Sequence, residues 1–379
     1  MAAAKRTRKK KSFKFSCLGS KKKSELKYGD EGDDVRSLQT FLTQAGYLRR
    51  DRAPGRMCHC TCDALQYFQK CYGLKDTGVG DEETLELIQQ PRCGVPDIGV
   101  DRTIESGPAP FVLVGCQYNT NNLTYAFLNS TPDLPNGRDH EIIREAFGVW
   151  ADVTPLQFTE VGADDAPTFP ISFERQDHGD GSAFDEGGSI NGNTLAHAFF
   201  PPPCGGIHAG ALHFDEFENW ADAASPGRIR LLNVAIHEIG HNLGLRHSNI
   251  RDAIMFAFYS DDVDSLRQDD INGIQAIYGA RPAGPAPIRG RLNGDGDTQL
   301  HRIVTQPGRM RVTLFGPAGQ DFDVYLRAGL PPTRAAFDVR GFGPTAEETI
   351  ELAVSGGDVF LLVDSWRGSG AYEVLVEFL

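Results

Sequence analysis

The residues most able to do chemistry in this 379-residue chain stand in one run, His237-Glu238-Ile239-Gly240-His241-Asn242-Leu243-Gly244-Leu245-Arg246-His247. Two histidines four positions apart leave one face of a helix about one turn apart, so both imidazoles reach one ion. Gly244 is free to take the left-handed conformation that ends a helix; the chain then turns back and His247 becomes a third ligand. Three neutral nitrogen ligands leave a zinc ion its charge and one open position for water. Glu238, beside the first ligand, stands where it can take a proton from that water. A lone pair of histidines at this spacing is usually incidental, but the full pattern arises by chance in on the order of one shuffled chain in ten thousand.

Such a site needs rigid elements to position it. Ile229, Leu231, Leu232, Val234, Ala235 and Ile236, just ahead of His237, suit a buried helix. Upstream, Val35, Leu38, Phe41 and Leu42 recur at helical spacing and Gly46 follows as a stop; Ala64, Leu65, Phe68 and Cys71 repeat the pattern before Gly73. A third short helix, with Leu85, Leu87 and Ile88, is predicted after Asp81 as its N-cap. Downstream, a Pro/Gly/Ala-rich linker at 280–289 precedes alternating runs such as 311–315, 323–326 and 359–363, which read as a small all-β sandwich.

Charge and composition narrow the function. The formal charge is −13, yet residues 1–27 hold eleven Lys or Arg against one Glu, about +10, so the remainder carries about −23. An acidic body argues against nucleic-acid binding, because phosphate recognition wants a basic face. No run approaches the length of a membrane span. The basic N-terminus has the charge of a signal-peptide n-region without an apolar h-region behind it, so no standard secretory signal is visible and a solvated, disordered tail is expected. Seven of the ten histidines fall between 178 and 247, which points to metal. The eight cysteines are too sparse for a disulfide scaffold. Cys58-His59-Cys60-Thr61-Cys62 lacks the two-residue gaps usual in zinc sites, so loop thiols or a local disulfide are the favoured readings over a second metal site.

With Met255 in Ala253-Ile254-Met255 as a Met-turn after His247, the zinc motif resembles the metzincins, and within them the matrixins, the matrix metalloproteinase family. Leu123-Thr124-Tyr125, Ala146-Phe147-x-x-Trp150, Thr154-Pro155-Leu156-x-Phe158 and the Asp269–Gly279 segment fit the same family. Residues 28–90 resemble the peptidoglycan-binding-like module through Gly32, Val35, Leu38, Gln39, Phe68-Gln69 and Gly73-Leu74, while Asp321–Gly329 with Ser365–Tyr372 is similar to the bacterial pre-peptidase C-terminal domain. The resemblance implies a multidomain α+β chain: a basic tail at 1–27, a three-helix prodomain at 28–97, an activation linker at 98–110, a zinc-peptidase domain at 111–279, the 280–289 linker, and a β-sandwich at 290–379. The catalytic domain is expected to pair a twisted, mostly parallel sheet with the active-site helix.

The implied activity is that of a latent metalloendopeptidase, a secreted or cell-wall-associated zymogen, with His237, His241 and His247 on the catalytic zinc and Glu238 as general base. Pro91-Arg92-Cys93-Gly94-Val95-Pro96-Asp97 matches the family's cysteine-switch sequence. It implies that Cys93 takes the fourth zinc position until cleavage between Asp97 and about Phe111, with Arg92 paired to a catalytic-domain carboxylate. His178, Asp180, His197 and His213 correspond to the structural zinc ligands, and Asp185, Asp215 and Glu218 to calcium-ligand carboxylates. Both histidine gaps are several residues longer than the family spacing, with insertions at 190–193 and 201–204, and Thr168 and Ala211 replace the carboxylates of a second calcium site, which is expected to be unbound. His208 has no counterpart and is expected to face solvent. Tyr259 would line the pocket for the residue after the scissile bond, with Ala257 where the family usually has proline, and an apolar preference there is the default. Expected partners are protein or peptide substrates and a peptidoglycan or other glycan, with no nucleic acid, no membrane span and a monomeric chain. The rival reading is a cell-wall protein that holds peptidoglycan through 28–90 and cuts its peptides.

Overall fold

The first three helices form where the apolar spacing and caps place them: α1 (Asp33–Gln44), α2 (His59–Cys71) and α3 (Glu82–Ile88). Val35, Leu38, Phe41 and Leu42 bury one face of α1, while Asp33 and Asp34 lie at the positive end of its dipole. The Asp81 carboxylate caps α3 by accepting from Thr84 N at 3.0 Å. The chain continues with β1 (Arg92–Cys93), β2 (Asn122–Phe127), α4 (Arg138–Ala151), β3 (Gln157–Glu160), β4 (Phe169–Glu174), β5 (Thr194–Ala198), β6 (Leu212–Asp215), β7 (Trp220–Ala221), β8 (Ile229–Arg230), α5 (Leu231–Asn242) and α6 (Gln268–Tyr278). Six further strands follow: β9 (Ile288–Leu292), β10 (Thr298–Phe315), β11 (Asp321–Ala328), β12 (Val339–Gly341), β13 (Glu348–Arg367) and β14 (Gly370–Phe378).

This computed structural model describes residues 25–49, 53–98, 109–185, 194–281 and 287–378. The basic tail up to residue 24 with Cys17, most of the activation linker, the insertion at 190–193 and the middle of the second linker lie outside the described residues. Contacts divide the chain into two compact units, one of residues up to Asn119, Tyr125–Phe147 and Ala163–Ile277, the other of Thr120–Thr124, Gly148–Gly162 and Tyr278–Leu379. No helix of the described residues is long and apolar enough to cross a membrane.

In the first unit the main sheet runs β1-β5-β6-β4-β2. β1 is parallel to β5, β5 antiparallel to β6, and β6, β4 and β2 are parallel. The two-residue β1 is the edge strand and lies along β5, with Arg92 opposite Thr194 and Cys93 opposite Ala196. Cross-strand partners share a face of the sheet. The His197–His213 pair on β5 and β6 therefore projects two imidazoles to one side. Every residue of α5 is buried, as expected for the active-site helix. The apolar core around α1 and α2 closes on Phe256, Ala257 and Phe258, which the sequence separates from it by about 160 residues.

The second unit contains a sheet ordered β12-β11-β13-β10-β14-β9, all neighbours antiparallel. The 18-residue β10 and the 20-residue β13 lie side by side at its centre and pair along most of their length. Alternation decides its core: Phe322, Val324 and Leu326 face inward with Leu361, Val363 and Val374. Between them Asp323 and Tyr325 point to the other face, where Tyr325 Oη donates to Asp323 Oδ2 at 3.1 Å.

Candidate functional site

His237 and His241, one turn apart on α5, bring their Nε2 atoms to 3.1 Å of each other. The helix ends at the Leu243 cap, and Gly244, at φ 104°, turns the chain as the glycine predicts. A Cβ there would stand 2.7 Å from the Cys116 carbonyl oxygen, so close approach also demands glycine. His247 then returns with its Nε2 3.1 Å from that of His241.

The second nitrogen of each ring is also held. His237 Nδ1 lies 2.7 Å from Ile254 O, His241 Nδ1 2.7 Å from Leu245 O, and His247 Nδ1 2.7 Å from Asp97 Oδ1. Those partners are acceptors, so the network assigns the ring proton to Nδ1 and leaves three Nε2 lone pairs facing one point. Burial, then the His247 ring, pushes His237 down to about 3, and His241 and His247 are lowered for the same first reason, burial. Neutral rings with converging lone pairs repel one another unless a cation sits between them, and Nδ1–H bonds to protein acceptors are the usual second layer of a metal site. Tetrahedral ligands at zinc distances are about 3.3 Å apart, so the donor set fits zinc.

Cys93 joins this set: its sulfur and the three ring nitrogens all lie within 4.8 Å of one another. Burial, then the nearby Glu238, pushes the Cys93 thiol up, while Val95 N donates to its sulfur at 3.3 Å. A cation at the rings reverses that balance and favours the thiolate. The latch is held on both sides, by Gly94 N to Ala196 O at 2.8 Å and by Cys93 N to Ala257 O at 3.0 Å. A Cβ on Gly94 would meet Thr194 Cγ2 at 2.7 Å, so the segment fits against β5 only with glycine there.

Arg92 corrects the expectation of a catalytic-domain partner. Its Nη2 pairs with Asp97 Oδ1 at 2.6 Å, inside its own segment. Phe258 supplies the catalytic-domain contact instead, with its ring 5.1 Å below the guanidinium. Asp97 is fully enclosed and also accepts from Tyr72 Oη at 2.8 Å. Burial works against its charge, but Arg92 and His247 outweigh it and hold the carboxyl well below its usual range.

Glu238 is fully buried beside Cys93, and burial, against the pull of the Cys93 thiol, pushes its pKa up to about 8. Met255 is buried in the turn that follows His247. Asp270 of α6 fixes that turn by accepting from Ile254 N and Met255 N, each at 3.0 Å. Its neighbour Asp269 accepts from Phe111 N at 3.0 Å and from Ser248 Oγ at 2.6 Å. Tyr259 lines a cavity beside His237 and Glu238, and its hydroxyl accepts from Arg230 N at 2.9 Å.

The second histidine set converges as well. Asp180 Oδ2 lies 2.8 Å from His178 Nε2, 2.7 Å from His197 Nε2 and 2.9 Å from His213 Nδ1. Burial, more than the opposing pull of Asp180, pushes His197 down to about 4. Three imidazoles and one carboxylate with no open position fit a structural zinc. The calcium candidates are less gathered: Asp185, Asp215 and Glu218 form no such group among the described residues. Asp215 Oδ2 is nonetheless buried without a hydrogen bond, and burial first, then Asp185 and Glu216, pushes that carboxyl up to about 7. His208 is half-buried against Phe199, with ring centroids 5.1 Å apart, and not solvent-facing as expected.

Two disulfides form among the described residues. Cys58 and Cys60 are disulfide-bonded at the start of α2, Cys116 is bonded to Cys204, and Cys62, Cys71 and Cys93 are free among the described residues. The reading of the sequence missed three residues at the site: Asp97 as the partner of His247, Asp270 under the Met-turn, and Asn233 in the cavity. Only Asn233 left a signal, since it lies four residues before His237 and so on the same helical face.

Comparison with known proteins agrees with this geometry. A matrixin family profile matches residues 117–279, and one for a putative peptidoglycan binding domain matches residues 31–88. The chain is 41% identical over 269 residues to interstitial collagenase of Equus caballus, covering 67% of this chain and 52% of that protein. It is 45% identical over 232 residues to interstitial collagenase of Bos taurus, 59% of this chain and 45% of the relative. Stromelysin-1 of Mus musculus is 40% identical over 225 residues, 58% and 43% of the two chains. The chain thus spans about half the length of the curated relatives it matches. On the profile match and the relatives together, residues 117–279 belong to the matrixin family and are preceded at 31–88 by a domain of the putative peptidoglycan-binding family.

Proposed function

We propose that the chain is a latent zinc endopeptidase acting on protein substrates outside the cell. The observation that carries this is the convergence of His237, His241, His247 and Cys93 on one point. Bound zinc supplies Lewis acidity, polarising the scissile carbonyl and lowering the pKa of a water. Glu238, buried beside the position of Cys93, would take a proton from water as it adds to the carbonyl carbon and would deliver it to the leaving amine as the C–N bond breaks. The carbonyls of Ala196 and Ala257, which hold the latch, are the groups that would hold a substrate backbone once the latch leaves.

In the uncleaved chain Cys93 occupies the fourth position and its segment covers the groove. The aromatic face of α1 and α2 is engaged with Phe256 and Phe258, which supports a prodomain role for residues 28–97 over free glycan binding. His178, Asp180, His197 and His213 hold the structural zinc, and Asp185, Asp215 and Glu218 contribute to a calcium site. Residues 290–379 are an accessory module of the pre-peptidase C-terminal type.

Two variants test this. Cys93→Ser should give the unprocessed chain measurable cleavage of gelatin or casein, while Glu238→Gln, after pro-segment removal, should keep its zinc and lose turnover. A silent Cys93→Ser chain sinks the latch, and substantial cleavage by Glu238→Gln sinks the assignment of the base.

A further inference from the structure

Cys116 and Cys204 are the last two cysteines of the chain, so removal of the pro-segment leaves their disulfide as its whole thiol chemistry. The bond joins two segments that carry no metal ligand. One is the run 111–116 at the start of the catalytic domain. The other is the 201–204 insertion, in the loop between β5 and β6.

The run 111–116 nonetheless braces the turn between two ligands. Val114 N donates to Gly244 O at 2.9 Å, and Arg246 N donates to Val112 O at 2.7 Å. Leu113 and Leu245 form an antiparallel bridge between those bonds. The Cys116 carbonyl oxygen packs on Gly244 closely enough to exclude a Cβ there. Residues 244–246 are all that separates Leu243 from His247, and Leu245 O is the acceptor that orients the His241 ring at 2.7 Å. The run therefore supports the carbonyl that orients one ligand and the backbone that carries the other. Its own far end is held where Phe111 N donates to Asp269 Oδ1 at 3.0 Å. Cleavage just ahead of Phe111 would free that end of the chain, and new termini fray unless tied down. The disulfide is the covalent tie at the opposite end.

We propose that the Cys116–Cys204 disulfide is a positioning device for the catalytic metal in the processed chain. Oxidised, it keeps 112–116 on the 244–246 turn and so holds His241 and His247 in ligating geometry; reduced, it lets the metal go. The proposal rests on the reading of His237, His241 and His247 as a zinc site. The reductant is a dithiol. Cys204 is exposed and Cys116 half-buried, so one reductant thiolate attacks Cys204 Sγ, the S–S bond breaks, and Cys116 leaves and takes a proton. The second reductant thiolate attacks the reductant's sulfur in the mixed disulfide and releases Cys204 as a thiol. The dithiol closes to its own disulfide, and its two electrons and two protons pass to the protein. Metal-dependent cleavage is thereby confined to oxidising surroundings, where such a bond persists.

The test uses the processed chain loaded with Co(II), a zinc substitute with a visible spectrum. The chain is reduced, its thiols are blocked with iodoacetamide, and the reagents are removed before a chelator is added. The ion with an open position is recognised by the spectral shift that acetohydroxamate causes. Its transfer should be about ten-fold or more faster than from the oxidised chain. The ion held by His178, Asp180, His197 and His213 should leave at its former rate. Reoxidation of reduced, unblocked chain should restore slow transfer, and Cys116→Ala/Cys204→Ala should transfer fast with or without reductant. Unchanged transfer after reduction overturns the proposal. So does equal acceleration at both sites, which would mean general loosening of the fold. Peptide cleavage is measured on the same samples. Redox-dependent metal retention in a chain that cuts no peptide would sink the peptidase reading and leave the positioning role standing; cleavage that survives reduction undiminished would do the reverse.

Discussion

Asp97 Oδ1 accepts from His247 Nδ1 at 2.7 Å, joining the last residue of the latch to the third metal ligand across 150 positions of sequence. The same oxygen lies 2.6 Å from Arg92 Nη2. The latch thus grips the centre twice, through the Cys93 sulfur and through the second layer of His247.

Breaking that second grip should loosen latency without touching the thiol. Asp97→Asn keeps the shape of the side chain but leaves the Arg92 charge buried beside a neutral amide, and loss of one partner of a buried pair costs about 3–5 kcal/mol. The unprocessed variant should cleave casein and should yield its pro-segment to trypsin faster than the parent. Parent-like silence and parent-like trypsin resistance would falsify this coupling.

Asp270 predicts an effect two layers from the metal. It holds the amides of Ile254 and Met255, and the Ile254 carbonyl in turn orients His237. Asp270→Ala leaves two buried donors unpaired, at about 1–3 kcal/mol each. Zinc should transfer to a chelator about ten-fold faster than from wild type, in line with losses seen when outer-layer partners are removed. An unchanged transfer rate would show that Met-turn and ligand are not mechanically linked.

The second unit carries its own pH dependence. Burial first, then the charges of Asp321 and Asp364, push the Asp323 carboxyl up to about 6, above an unfolded value of about 3.9. Its contribution to stability is therefore complete below about pH 4 and is lost as pH rises through about 6. Asp323→Asn removes that ionisation while still accepting from Tyr325. Its unfolding midpoint should exceed the parent's at pH 8 and fall level with or below it at pH 4. A difference of the same sign and size at both pH values would rule out Asp323 as the titrating group.

Much of the site was legible because local rules determine it. Spacing of four on a helix, a glycine after the last turn and a third histidine beyond it specify the three-ligand centre without any knowledge of the sheet. Asp81 as a cap and the apolar rhythm of α1 and α2 are equally local. The second histidine set is different in kind. His178, His197 and His213 are far apart in sequence, and only family resemblance grouped them; the antiparallel register of β5 and β6 brings His197 opposite His213, and the segment after β4 brings His178 to them.

What tertiary structure alone decided are the pairings of long sequence separation. Arg92 had several carboxylates available, and the fold chose Asp97 because both are enclosed by Tyr72, Phe41 and Phe258. His208 lies in an insertion that reads as surface, yet Phe199 half-covers it. Cys116 and Cys204 are bonded across 88 residues, a choice no spacing rule makes. Sequence periodicity says which residues share a face of one element, and so it determined the ligands on α5. It does not say which faces of distant elements close on each other, because that depends on register and packing between them. Those contacts decided how the latch is held.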